Sequence, residues 1–98
     1  MIVRSWSARP LPNRGEHYLA FFRRVVRPQL DALSGFRGAE ILASTESGEV
    51  VVLTRWDSMD AVRQFAGDDP SHAVVEPEAV AFFGDYDRTV RHYEVVDG

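Results

Sequence analysis

Hydrophobic and polar positions alternate and cluster along this chain in a way that separates strands from helices. Ile2 to Ala8 has the rhythm of a strand, and Pro10 and Pro12 end it. Asn13 then stands where a helix should be capped, with Glu16 three positions later in capping-box spacing. Tyr18, Leu19, Phe22, Val25, Val26, Leu30 and Leu33 recur at helical spacing as one wide apolar stripe. Pro28 lies inside that stripe and removes a backbone donor, which predicts a kink or break near Arg27. Ser34 and Gly35 end the helix.

The second half repeats the theme. Phe36 to Thr45 reads as a strand, with Phe36 and Ile41 as core anchors. Glu46, Ser47, Gly48 and Glu49 form a hairpin signal, Gly48 supplying positive φ. The third strand runs from Glu49 to about Trp56. Its Val50, Val51, Val52 and Leu53 are apolar on both faces, which implies cover on both sides. Asp57 or Ser58 then caps a short amphipathic helix over Met59 to Ala66, closed by Gly67. His72 to Phe83 is predicted to be partly helical, with Pro77 opening a turn, and Thr89 to Val96 is the last strand.

The order β-α-β-β-α-β is the split βαβ, or ferredoxin-like, plan: an α+β fold with a four-stranded antiparallel sheet and helices on one face. The apolar residues on both faces of strand three predict that the open face is covered by a second copy of the chain. Packing at the sheet edge or by the C-terminal segment would be the alternative cover. No repeat or linker interrupts the chain, so residues 1–98 read as a single domain of 11.1 kDa.

Composition narrows the function. A net charge of −4 argues against nucleic acid as partner, because phosphate binding needs a basic surface. Arg23, Arg24 and Arg27, the densest basic group, sit on a helix and read as a solvated face. The absence of cysteine excludes disulfides, thiolate metal sites and cysteine nucleophiles. No run approaches the roughly 20 apolar residues of a membrane span, and the N-terminus lacks the apolar core of a secretion signal. A cytoplasmic location is the expectation. The three histidines fall in different elements with no metal-ligand spacing, and no glycine-rich phosphate loop exists, so no metal and no cofactor are expected.

With the elements placed, four stretches carry a family resemblance. They are Trp6 in the first strand; GFRGAEIL, Gly35 to Leu42; TRWDSMDAVRQFAGDDPSHAVVEPEA, Thr54 to Ala79; and TVRHYEVV, Thr89 to Val96. The chain resembles the antibiotic biosynthesis monooxygenase domain family of the dimeric α+β barrel superfamily. The resemblance implies a homodimer pairing sheet to sheet. Relatives of this kind include cofactor-independent oxygenases of polyketide quinones, haem-degrading enzymes and proteins without assigned chemistry, and kinship of fold does not transfer chemistry. Haem degradation in related proteins uses an asparagine in the first strand. Strand one here has none, although Trp56 and His72 remain, so the haem reading is set aside.

Oxygenation without a cofactor needs a base or hydrogen-bond donor, a cation and aromatic walls that exclude water. His92 is the leading base, on a last strand expected to be central in the sheet; against that stands a structural histidine, hydrogen-bonded or at the dimer face. His72, in the loop after the second helix, is the second candidate, against a surface turn residue. Arg4 and Trp6 share a face of strand one, and a buried arginine must find an anion, from protein or ligand. Tyr18, Phe22, Trp56, Phe65 and Tyr86 are the candidate walls for a flat hydrophobic or aromatic ligand, and are equally what a small core requires. Parity groups His92 with Val90, Glu94 and Val96 against Arg91, Tyr93 and Val95, and either set can face the helices.

Two functions follow. One is a cofactor-independent monooxygenase, or related small oxidoreductase, acting on an aromatic or polyketide-like small molecule. The other is a non-catalytic dimeric small-ligand-binding or accessory protein. A cavity of several hundred Å3 favours the enzyme, and a filled interior favours the binder.

Overall fold

The computed structural model describes residues 1–98. The chain runs β1 (Ile2–Pro10), α1 (Gly15–Phe21), a π-helical turn (Phe22–Val26), α2 (Arg27–Asp31), β2 (Phe36–Ala43), β3 (Val50–Trp56), α3 (Met59–Ala66), α4 (Pro77–Val80), β4 (Phe83–Tyr86) and β5 (Arg91–Glu94). All pairings are antiparallel, in the order β2-β3-β1-β4, with β5 also pairing β1. This is the ferredoxin-like plan with its last strand divided in two.

The division is caused by tertiary hydrogen bonds. Between β4 and β5 the Trp6 indole Nε1 donates to the carbonyl of Asp87 at 2.6 Å. Residues 88–90 turn their backbone toward the loop after α3 instead: Ala73 N–H donates to Arg88 and Val90 N–H to Ser71. The last strand therefore lies at the sheet edge against β1 alone, not at the centre as its position in the sequence suggested.

Even-numbered residues of β1 and β3 point to the helices and the odd ones away from them. Along β3 the alternation is complete: Val50, Val52, Thr54 and Trp56 are buried, while Val51, Leu53 and Arg55 are half-buried. Only one face is covered within the protomer. Trp56, Leu30 and Val62 are the largest fully buried side chains, and Trp56 packs edge-on to Phe36 and stacks on Phe65.

The first helix departs from expectation at its start. Asn13 takes positive φ and Arg14 is the N-cap with no side-chain bond, so the capping box does not form. Pro28 acts as predicted, by a specific route. Its ring would clash with the carbonyl four residues back, and the turn before it widens so that Arg27 N–H donates to Phe22. The helix then resumes with Pro28 in its first turn, where a missing N–H is harmless. Of the two candidate caps for α3, Ser58 serves: its Oγ accepts from Ala61 N–H at 3.1 Å. Asp57 instead takes a bidentate bond from Arg37.

Candidate functional site

A cavity of about 60 Å3 lies between the helix-side face of the sheet and α1, the π turn and the segment before α4. Twelve of its fifteen lining residues are hydrophobic, so its chemistry rests on the other three: Arg4, Thr54 and Glu76. β1 and β3 bring Arg4 and Thr54 directly opposite one another, both buried. Phe22 and Val26, on the π turn, line the wall facing them.

Arg4 is the centre of this arrangement. It is only 4% exposed. Its Nη1 donates to the carbonyl of Pro70 at 2.5 Å and lies 2.9 Å from His92 Nε2; its Nη2 donates to the carbonyl of His72 at 3.0 Å. The guanidinium carbon sits 5.8 Å from the centre of the Phe65 ring. None of these partners carries a negative charge, and burial pushes the guanidinium down to about 10, which leaves it charged at neutral pH. Through the two carbonyls Arg4 also ties the loop after α3 to the sheet.

His92 stands across from Arg4 on β5, on the helix-side face with Val90. It does not line the cavity and meets it only through Arg4. Because Arg4 is a donor, Nε2 is the unprotonated nitrogen and the ring hydrogen belongs on Nδ1. Burial first, and the charge of Arg4 second, hold the imidazole below its usual range. His72 contributes a carbonyl, while its exposed ring lies 3.4 Å from Asp69 and borders a shallow surface groove with Tyr86 and Arg88.

Trp6, Tyr18, Phe22 and Phe65 line the cavity together. Tyr18 is buried, and burial raises its pKa. Trp56 and Tyr86 lie elsewhere. Trp56 is in the core behind Thr54, whose Oγ1 accepts from its indole at 2.9 Å, and Tyr86 packs on Trp6 and Phe83.

Of the three polar lining residues, sequence reasoning named Arg4 and missed Thr54 and Glu76. The available signal was the pair Glu76-Pro77, because proline in a first helical turn makes its predecessor an N-cap. Glu76 does not use its side chain to cap α4 and makes no ion pair, so its carboxylate remains free at the cavity. A buried cation, a free carboxylate and aromatic walls can hold an apolar ligand by one polar group and move a proton on it.

Known structures share the fold. A monooxygenase of Streptomyces coelicolor, ActVA-Orf6, solved with the ligand nanaomycin D, superposes with a TM-score of 0.76 at 20% identity, over 99% of this chain and 88% of that one. Rv0793 of Mycobacterium tuberculosis gives 0.70 at 17% identity, over 99% and 96%. SO0527 of Shewanella oneidensis gives 0.70 at 16%, over 94% and 87%. No curated protein matches the sequence significantly. A family model described as antibiotic biosynthesis monooxygenase matches residues 1–77, which takes in β1 through the start of α4, with Arg4 but not His92. The chain belongs to the antibiotic biosynthesis monooxygenase family.

Proposed function

We propose that this chain is a cofactor-independent monooxygenase whose substrate is a small phenolic aromatic or polyketide-like compound held in the Arg4 cavity. The observation that carries the reading is a buried guanidinium without a carboxylate partner in a cavity walled by Trp6, Tyr18, Phe22 and Phe65. A phenolate is electron-rich enough to reduce O2 itself, and a fixed cation in the cavity favours its ionisation in apolar surroundings. For a naphthol the balance is naphthol plus O2 giving naphthoquinone plus water. One oxygen atom enters as the new carbonyl, the other leaves as water, and the substrate supplies every electron. Glu76 is the carboxylate placed to take the phenolic proton. His92 is a positioning residue that holds Arg4, and His72 acts through its backbone. The family membership supports this reading, as does the fold it shares with a monooxygenase solved with nanaomycin D.

The working unit in this reading is the whole of residues 1–98 as one domain, since the cavity draws on residues from Arg4 to Val90. Two copies pair through the open sheet face.

The cavity volume favours a second reading. About 60 Å3 is well below the roughly 300–1,000 Å3 of drug-sized ligand sites. A polyketide enters only if the loop from Asp68 to Glu76 lifts; otherwise the chain is a binder of small molecules. Oxygen uptake separates the two. With hydroxylated naphthalenes the enzyme reading expects enzyme-dependent O2 consumption matched by quinone absorbance, and Glu76→Gln slows it. Binding without O2 uptake across the series would leave the binder.

A further inference from the structure

We infer that the cavity takes its ligand by a carboxylate, gripped on the free edge of Arg4, so that the preferred ligands are hydrophobic monocarboxylic acids. This rests on the reading of the cavity as the ligand site, and gives the phenolic substrate a second polar group, an acid by which Arg4 holds it. The argument begins with which arginines are paired. Arg9, Arg27, Arg37, Arg55 and Arg63 each contact a carboxylate near the surface, where an ion pair matters least. Arg4, the buried one, has none, although a buried charge is the one that needs a counter-ion.

The hydrogen-bond count locates the free edge. A guanidinium has five N–H groups. Nη1 spends both of its own on Pro70 and His92, and Nη2 spends one on His72. Nε makes no hydrogen bond and Nη2 makes only one; because no fully buried side-chain nitrogen or oxygen lacks a partner, Nε opens onto accessible space and is not sealed in the core. That same Nε and Nη2 edge of Arg37 holds both oxygens of Asp57 at 2.7 Å, so the fork is one this protein already fills with a carboxylate elsewhere. Thr54, opposite Arg4, accepts from Trp56 and retains its own hydroxyl hydrogen to donate. The remaining walls are apolar and set the character of the ligand body. Glu76 is the one carboxylate among the lining residues, and its charge opposes an acid in the cavity.

The test pairs each acid with its neutral amide, from propionate and propionamide to benzoate and benzamide. Tryptophan fluorescence, from Trp6 and Trp56 together, and calorimetry read the binding. The unaltered chain is expected to bind an acid at least about tenfold tighter than its amide, as a charge-assisted bidentate pair requires. Arg4→Met abolishes that preference while the amide still binds. Equal binding of acid and amide, or a preference that survives Arg4→Met, overturns the carboxylate grip and leaves the cavity reading standing. If no member of any pair binds, the cavity reading itself falls and the grip with it. Should Arg4→Met fail to fold, Glu76→Gln decides: tighter binding of the acid alone supports the grip, and an equal change for acid and amide overturns it.

Discussion

Arg4 and His92 face each other across β1 and β5, with guanidinium Nη1 2.9 Å from imidazole Nε2. A cation bonded to a ring nitrogen is compatible with a neutral imidazole and opposes a protonated one. The pair is therefore a pH-sensitive joint in the wall of the cavity.

The imidazole is held below its ordinary 6.5 by burial and then by Arg4. A histidine depressed in the folded state is neutral there while the unfolded chain takes up a proton. Folding stability is thus complete above about 6.5 and declines as pH falls from there toward the folded value. Urea unfolding at about pH 7.5 and about pH 5.5 should show this loss in the unaltered chain. His92→Gln keeps a neutral acceptor for Arg4 and should flatten the slope. The same slope in both proteins would refute the coupling.

The fold was legible because periodicity and punctuation agree along most of the chain. Pro28 marked the irregular turn, and Met59 to Ala66 was read to its ends. What escaped was set by tertiary bonds. The last strand divides because the Trp6 indole and the loop at Ser71 and Ala73 take backbone groups between Asp87 and Val90, and no local pattern records that. The site was half legible. The shared parity of Arg4 and Trp6 placed both on one face, but the register that sets His92 beside Arg4 lies between strands remote in sequence. Glu76 sits in a stretch without periodicity, where a pattern has nothing to act on.

Gly35 illustrates a backbone requirement with a measurable cost. Its φ is +84°, and a Cβ there would lie 2.7 Å from the Ala61 Cβ. Its carbonyl also accepts from Asp57 N–H, joining the start of β2 to the entry of α3. Gly35→Ala combines left-handed strain with an overlap against a helix, and should cost about 2–4 kcal/mol. Gly48 also has positive φ, but nothing lies within 4 Å of its Cβ position. Gly48→Ala should cost only about 1 kcal/mol. Equal losses in denaturant midpoint would remove the steric argument.

Trp56 tests whether a wall residue named from sequence belongs to the core. It is fully buried between Phe36 and Phe65 and donates to Thr54. Trp56→Ala should lose about 3–5 kcal/mol. Trp56→Phe keeps most of the packing, gives up one buried hydrogen bond worth about 1 kcal/mol, and should leave ligand affinity nearly unchanged. A large fall in affinity with stability preserved would return Trp56 to the binding site.

The last prediction concerns the open face of the sheet. Val3, Val51, Leu53, Leu42 and Tyr93 point away from the helices, as the registers β1–β3, β2–β3 and β1–β5 require. Leu42 and Tyr93 are 47% and 51% exposed, and no element of the protomer covers them. An apolar stripe across four adjacent strands, β2, β3, β1 and β5, is self-complementary under a two-fold axis, which is the geometry of an isologous dimer. Light scattering should give twice the 11.1 kDa of one chain. Leu53→Glu sets a charge at the middle of the stripe without touching the helix-side core, so it should yield a folded monomer with unchanged helix content. A monomeric unaltered chain at micromolar concentration would defeat the pairing. So would a Leu53→Glu variant that remains dimeric, because the contact would then lie on another surface.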